Sequence, residues 1–146
     1  MLLLREMELK DSAGIAELEL EIFSDAWTEK SIRETFYQSH AFMIVAEENM
    51  ELKGYAIVYH VLDEAEVVRI AVKGSARREG VGTSMLNECE RICLQKGAER
   101  LLLDVREGNT AAQKFYKKQG FAVDGIRKNF YENPREDAVL MSKAIV

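Results

Sequence analysis

An apolar run followed at once by arginines, glycines and a helical pattern limits most strongly what this chain can fold into. Residues 64–72 read EAEVVRIAV, which is typical of a buried strand, and residues 77–86 read RREGVGTSML. From Gly80 to about Lys96 the apolar residues recur at helical spacing, and Gly97 follows where the helix should end. The central unit is therefore predicted to be a strand, a glycine-containing loop and a long helix.

Further strands and helices are predicted on both sides of this unit. The strands are 2–8, 41–48, 51–62, 99–107, 121–132 and 136–146, and the helices are 11–23, 29–38 and 109–120. Asp11–Ser12 and Asn109 are expected to cap the helices that they begin. The order βααβββαβαββ predicts an α/β domain with a mixed sheet of about seven strands and about four helices. No linker or repeat divides residues 1–146, so we expect one domain.

Composition argues against several classes of function. The net charge of −5 is unlike that of a general nucleic-acid-binding protein. The apolar runs are too short for a membrane span or a signal peptide, so we expect a cytoplasmic protein. Cys89 and Cys93 are four residues apart with no histidine nearby, which favours two reduced core thiols over a metal site.

The segment RREGVG suits an anion, although it matches no common phosphate loop in full. A P-loop has lysine after its second glycine, where this chain has Thr83, and a dinucleotide fingerprint has a third glycine, where it has Met85. What remains is a helix N-terminus whose N–H groups, from about Arg78 to Thr83, can point at one pyrophosphate, with Arg77 and Arg78 supplying charge. The alternative is a solvated turn that contains arginines by chance.

This loop and the segments after it resemble the GCN5-related N-acetyltransferase (GNAT) superfamily. The resemblance is carried by R-x-x-G-x-G after a strand, the strand LLLDVRE, and the segment N-T-A-A-x-x-F-Y-x-x-x-G-F. The element order also matches that fold over essentially all 146 residues. The resemblance implies that acetyl-CoA is the co-substrate, that its pyrophosphate binds the loop, and that no metal is needed.

The resemblance also implies which residues bind acetyl-CoA. The pantetheine arm is expected on the backbone of the strand before the loop, with Val72 N–H facing the thioester oxygen. Asn109 is expected both to cap its helix and to touch the cofactor. The implied cofactor-binding residues are Ile70, Ala71, Val72, Arg77, Arg78, Glu79, Gly80, Val81, Gly82, Thr83, Asn109, Ala112 and Tyr116.

Within the superfamily, the chain is most similar to the bacterial ribosomal-protein-alanine N-acetyltransferases. The likeness is carried by DAWTEKSI (25–32), DEAEVVRIAV (63–72), LLLDVREGNTAA (101–112), FYKKQGF (115–121) and IRKNFYENPREDAVLM (126–141). It implies that the acceptor is the N-terminal amine of a protein, typically alanine on a small-subunit ribosomal protein. We expect no direct contact with nucleic acid or membrane, and a monomer or weak homodimer.

The strand LLLDVR contains a candidate general base. Alternation places three apolar side chains on one face and Asp104, with Arg106, on the other. A carboxylate in such a strand needs a partner or a function. The related enzymes have a glutamate base at this position, so Asp104, about one methylene shorter, would act directly or through a water. The alternative is an ion pair with Arg106.

Tyr116 is the candidate general acid for the departing thiolate. Phe115 and Tyr116 are adjacent on a predicted helix and point about 100° apart, so one should fill the core while the other faces the cleft. Because of its hydroxyl group, we expect Tyr116 to be the ring that faces the solvent-filled cleft. A purely structural tyrosine is the alternative.

The acceptor side is expected to involve Trp27, Glu66, Arg69 and Tyr131. Trp27 is either a peptide contact or a core anchor, and Glu66 either pairs with the substrate ammonium or is a surface residue. Two other functions stay open: a small-molecule amine N-acetyltransferase for a polyamine, amino acid or aminoglycoside, and a non-catalytic acyl-CoA-binding module. The fold alone does not decide among them, although the candidate acid and base argue against the module.

Overall fold

A seven-stranded mixed sheet forms the centre of the fold in a computed structural model that describes residues 1–146. The strands are β1 (Leu3–Glu6), β2 (Ala41–Glu48), β3 (Glu51–Val61), β4 (Glu64–Val72), β5 (Arg100–Arg106), β6 (Ala122–Tyr131) and β7 (Glu136–Ala144). The helices are α1 (Ser12–Ile22), α2 (Glu29–Phe36), α3 (Val81–Gln95) and α4 (Thr110–Lys118), with short 3₁₀ turns at Leu9–Asp11 and Gly74–Ala76. This order confirms the predicted βααβββαβαββ arrangement.

The sheet opens between strands β4 and β5. The strand order is β1-β2-β3-β4-β5-β7-β6, and only β4 and β5 are parallel neighbours. Their pairing covers only Glu64–Glu66 and 100–102, although β4 continues to Val72 and β5 to Arg106. Val68 is an extra residue in β4 opposite β3, and such a bulge bends the strand that carries it. A cleft therefore forms in the middle of the sheet.

Helices cover both faces of the sheet, and each face has its own apolar core. On one face, α3 packs Met85, Leu86 and both cysteines against β5 residues such as Leu101. The cysteines are free thiols and buried, as predicted. On the other face, α1 and α2 cover only β2 to β4, in a core that includes Ile15. The cleft thus has helices on one side and an uncovered surface of β5, β6 and β7 on the other.

The helix ends show which local predictions hold. Gly97 and Gly120 have φ of +90° and +100° and follow α3 and α4, as expected for glycines after a helix. The Asn109 side chain accepts a hydrogen bond from the Ala112 N–H at 3.1 Å, which confirms that cap. None of the helices is both long and apolar enough to cross a membrane.

The predicted cap at the start of α1 is wrong. The Asp11 carboxylate makes no bond to the N–H groups of α1. It accepts instead from Arg5 at 2.9 Å with both oxygens, and from the Glu8 N–H at 2.8 Å. A guanidinium fork from the neighbouring strand is a stronger partner for a carboxylate than a single helix N–H.

Candidate active site

The loop before α3 presents a continuous run of free backbone donors. No N–H group from Arg78 to Thr83 makes a hydrogen bond within the chain, and Ser84 is the first to bond back, to Gly80 O at 3.0 Å. Arg78 and Gly80 have positive φ, of +68° and +81°. Alternation of φ sign turns successive N–H groups toward one side and makes an anion-binding concavity. This geometry fits the predicted pyrophosphate site.

The charged residues of this loop point outward. Arg77, Arg78 and Glu79 are exposed, and neither arginine forms an ion pair. The Arg77 Nε donates to Val72 O at 3.2 Å, which turns this guanidinium back toward the end of β4. Both arginines can therefore add positive charge to the mouth of the loop.

Gly82 lets the start of α3 approach α4 closely. A Cβ added at Gly82 would lie 3.3 Å from Cζ of Phe115 and 3.7 Å from Cγ2 of Val72. The Gln119 amide also donates to the Thr83 hydroxyl at 3.2 Å, which joins the end of α4 to the first turn of α3. The second glycine of the motif thus serves the contact between helices as well as the loop.

The open edge of β4 offers backbone groups to the cleft. Lys73 N–H donates to Lys53 O at 2.8 Å, so alternation directs Ala71 N–H toward β3 as well. Ile70 and Val72 therefore direct their N–H and C=O groups into the cleft. The expected cofactor contact from the Ala71 backbone is wrong, because that residue is paired with β3.

Two carboxylates without partners share a cavity at the deep end of this cleft. Asp104 and Glu66 line a cavity of about 760 Å³ on the face opposite α3, and neither makes a hydrogen bond or an ion pair. Burial raises the pKa of Asp104, and Arg127 offsets part of the rise. Burial, and then the charge of Asp104, raise the pKa of Glu66. These carboxylates can bind a cationic acceptor through charge, and they can accept a proton from it.

The predicted alternative for Asp104, an ion pair with Arg106, is wrong. The Arg106 guanidinium lies 3.2 Å from the Glu136 carboxylate and 3.8 Å from that of Asp25. Both partners belong to segments far away in the chain. Arg106 also stacks over the Tyr131 ring, 4.4 Å from its centre.

Tyr116 lies deeper than predicted. Its side chain is 7% exposed and packs edge-on against Phe121, whereas Phe115 is only partly buried and lies against Gly82. The expectation that Tyr116 is the more solvent-exposed of the two rings is therefore wrong. The Tyr116 hydroxyl makes no hydrogen bond. Among the polar side-chain atoms without a hydrogen bond, Nε2 of His60 is the one that is fully buried, so the Tyr116 hydroxyl oxygen is not fully buried and keeps some exposure to solvent. Burial of the side chain raises the pKa of Tyr116.

Arg69 is held in place by the protein through its Nε and Nη2 groups. Its guanidinium donates to Glu19 at 3.0 Å and to both the carbonyl and the carboxylate of Asp25, at 3.0 and 3.2 Å. The fully buried Glu19 also accepts from the Tyr55 hydroxyl and from the Trp27 N–H. These partners in α1 and the loop after it give Arg69 a structural role, and its expected contact with substrate stays a prediction.

Glu19 is the functional-site residue that sequence reasoning missed. It is four residues after Ile15 and three before Ile22, so helical periodicity places it on the buried face of α1. A carboxylate at such a position is a signal for a buried polar network. Glu19 fixes the loop that carries Trp27, and the partly buried Trp27 packs against the core of this face. This packing agrees with the core-anchor interpretation of Trp27, and its expected contact with the peptide stays a prediction.

The remaining predicted residues lie on the rims of the cleft. Tyr131 is half-buried at the end of β6 and lies under the Arg106 guanidinium, and burial, and then the charge of Asp104, raise its pKa to about 12. Ala112 packs against the core beneath α4, and Asn109 is exposed at the start of that helix. The structure thus brings Asp104 and Glu66 together in one cavity, places Tyr131 beside Arg106, and leaves Asn109 at the helix end.

The chain is similar to known proteins along nearly its whole length. Residues 12–121 match the acetyltransferase (GNAT) family. A Bacillus subtilis (strain 168) protein, provisionally named ribosomal protein bS18-alanine N-acetyltransferase, is 36% identical over 138 residues, or 94% of this chain and 91% of that protein. The Escherichia coli (strain K12) protein of that name is 30% identical over 141 residues, 95% of each chain. The crystal structure of the E. coli ribosomal-protein-S18-alanine N-acetyltransferase matches with a TM-score of 0.91 and 29% identity, over 99% of this chain and 94% of that one.

Proposed function

The chain belongs to the GNAT family of acetyltransferases, and we propose that it acetylates the N-terminal α-amine of a protein with acetyl-CoA as donor. The B. subtilis and E. coli relatives described above are both named for alanine acetylation of ribosomal protein bS18. We therefore propose that the natural acceptor is a small-subunit ribosomal protein that begins with alanine.

One observation carries this proposal: the cleft joins a run of free N–H donors to unpaired carboxylates. The donors from Arg78 to Thr83 lie at one end, and Asp104 and Glu66 lie at the other. The open edge of β4 connects the two ends. An acyl donor molecule with a pyrophosphate at one end and a reactive group at the other fits this arrangement. The carboxylates can then hold an amine acceptor.

The backbone of β4 would hold the arm of acetyl-CoA. Acetyl-CoA supplies an acetyl thioester at the end of the arm farthest from its pyrophosphate. Val72 lies next to the pyrophosphate loop, whereas Ile70 lies two residues deeper, toward Glu66. We therefore assign Ile70 N–H, in place of Val72 N–H, to the thioester oxygen, where it would stabilise developing negative charge. Asn109 and Ala112 would contact the cofactor from α4.

Asp104 would take the proton from the acceptor amine. An α-amine has a pKa near 7.7–8, so a modest base is sufficient near neutral pH. The side chain of Asp104 is short, so we propose that a water carries the proton to it. Glu66, in the same cavity, would hold the ammonium form through charge before that transfer, and Tyr131 would line the entrance.

Tyr116 would assist departure of the thiolate. Its hydroxyl has no competing partner in the chain, which leaves it free to donate a hydrogen bond to sulfur. Because burial raises the pKa of Tyr116, complete proton transfer to a thiolate with a pKa near 8.5 is uphill. The hydroxyl therefore acts by sharing its proton as negative charge develops.

A peptide assay tests the acceptor. An Ala-starting peptide should be acetylated much faster than the same peptide with a blocked N-terminus and an internal lysine, because a lysine amine near pKa 10.4 is under about 1% neutral at pH 7.5. Mass spectrometry locates the acetyl group, and Asp104→Asn, expected to be slower by about 10²-fold or more, is the low-activity control. Acetylation of the lysine would overturn the proposal.

A polyamine is the second candidate acceptor, because the cavity is strongly acidic. None of its carboxylates forms an ion pair, and Arg127 is its one arginine or lysine. The cavity is lined by five carboxylates: Asp63, Glu64, Glu66, Asp104 and Asp124. Spermidine is therefore included in the same assay. If spermidine were acetylated faster than every peptide, the small-amine function would replace the N-terminal one.

A further inference from the structure

We infer that Arg106 and Asp25 act together as positioning residues that hold the two walls of the acceptor entrance in register. One wall is the hairpin between β6 and β7, which carries Tyr131. The other is the loop between α1 and α2, which carries Trp27. This inference rests on the proposed function, because it concerns how the acceptor reaches Asp104.

Arg106 organises the hairpin wall. Its Nη2 donates to Glu132 O at 2.9 Å, and its Nη1 donates to Pro134 O at 2.9 Å and to the Glu136 carboxylate at 3.2 Å. The guanidinium carbon lies 4.4 Å from the centre of the Tyr131 ring. A planar guanidinium can satisfy two carbonyls, a carboxylate and an aromatic face at once, which an ammonium group cannot. Arg106 thereby fixes the turn of the hairpin relative to β5.

Asp25 connects this wall to the other one. Its Oδ1 lies 3.2 Å from Nη2 of Arg69, and its Oδ2 lies 3.8 Å from Nη2 of Arg106. Arg69 is in turn held by the buried Glu19, so the position of Asp25 is set by the core beneath α1. A single carboxylate therefore joins the α1–α2 loop to the hairpin across the opening.

The burial of these groups gives the link its strength. The Arg106 and Asp25 side chains are 21% and 34% exposed, so solvent and salt screen them less than a fully exposed pair. Tyr131 lies against the Arg106 guanidinium, and Arg106 is two residues from Asp104 on the same face of β5. A shift of the hairpin would move the Tyr131 ring at the entrance while the cofactor loop before α3 stays in place. The expected defect is thus weaker binding of the acceptor alone.

Steady-state kinetics of Arg106→Lys and Asp25→Asn test the inference. For an Ala-starting peptide we expect KM to rise about fivefold in each variant, with kcat within about twofold and acetyl-CoA affinity unchanged. Asp25→Asn keeps the contact of Arg69 with the Asp25 carbonyl, so it removes the link with little effect on folding. Asp25→Glu should restore much of the wild-type KM. The double variant should show a KM rise well below the product of the two single effects, because the residues share one link.

The control is Asp11→Asn, which removes a similar Arg–Asp pair at the other end of α1. An unchanged KM in the Asp25→Asn protein, or an equal rise in the Asp11→Asn control, would overturn the inference. Independent effects in the double variant would do the same. Wild-type turnover of the peptide is measured first, and its absence would overturn the proposed function instead.

Discussion

At the scale of residues, the number of hydrogen-bond donors around a carboxylate separates structural from reactive acids. Glu19 is fully buried and accepts from a hydroxyl, a backbone N–H and a guanidinium. Asp104 is partly buried and Glu66 is exposed at the surface of β4, and neither accepts a hydrogen bond. A satisfied buried carboxylate fixes its surroundings, whereas an unsatisfied one costs stability and is available for proton transfer.

Asp104→Asn should lower kcat/KM by about 10²-fold or more, yet stabilise the fold at pH 7. Because burial raises the pKa of Asp104, the folded protein binds this proton more tightly than the unfolded chain. Stability therefore falls as pH rises from the ordinary value near 3.9 to the raised folded value, and the loss persists at pH 7. The amide removes this loss.

Thermal unfolding measures the effect. We expect a Tm gain on the order of 2 °C at pH 7 that disappears below about pH 4. Asp124→Asn, an exposed carboxylate of the same cavity, is the matched control and should shift Tm little. A lower Tm for Asp104→Asn at pH 7 would show that this carboxylate has a stabilising partner.

Tyr116→Phe should lower kcat by about 10²-fold while acetyl-CoA still binds, because only the proton donor is lost. The ring packing is kept and the hydroxyl makes no hydrogen bond, so we expect an unchanged Tm. Tyr55→Phe provides the contrast: it removes a donor from buried Glu19 and should destabilise the fold by about 1–3 kcal/mol. Turnover of Tyr116→Phe near the wild-type rate would make Tyr116 a packing residue only.

At the scale of elements, the cleft results from three local features acting together. The bulge at Val68 bends β4, the pairing of β4 with β5 stops at Glu66, and the loop before α3 leaves its N–H groups free. Each feature alone is common in α/β proteins. Because they follow one another along one strand, loop and helix, they produce a single continuous cleft.

Gly82→Val should weaken acetyl-CoA binding by about tenfold or more. The new side chain would meet Phe115 at 3.3 Å or less, and would spread the start of α3 from α4 next to the pyrophosphate loop. Calorimetry measures the affinity. Gly74→Ala is the control, because no atom lies within 4 Å of its added Cβ. Wild-type affinity in a folded Gly82→Val protein would refute the assignment of the loop.

At the scale of the whole molecule, the cleft divides the sheet into two parts with a short ladder between them. The β1–β4 part carries the loop between α1 and α2 and the loop before α3, and the β5–β7 part carries Asp104 and the hairpin between β6 and β7. The two parts are joined by three paired positions between β4 and β5 and by the link from Asp25 to Arg106. The core under α3 packs behind them. A molecule that spans the cleft should therefore stabilise the fold.

Coenzyme A at 100 times its Kd should stabilise the protein by about 2.7 kcal/mol, since it binds the folded state alone. Hydrogen exchange should slow most at the N–H groups from Arg78 to Thr83, which are unbonded in the free chain. The paired strands β2 and β3 serve as the internal reference. Protection confined to other segments would place the cofactor elsewhere.

The sequence by itself determined the features that depend on neighbouring residues. The order of strands and helices, the glycine stops at Gly97 and Gly120, the cap at Asn109 and the buried alternate face of β5 all agree with the structure. These features follow from periodicity and from backbone conformation over a few residues. Local physics is sufficient to specify them.

The tertiary structure alone decided which side chains meet. The partners of Asp11 and Arg106, the capture of Arg69 by Glu19, and the depth of Tyr116 all involve residues from separate elements. The same holds for the separation of β4 from β5. Charged groups choose among several partners of opposite sign according to distance and burial, and only the packed chain sets these two quantities.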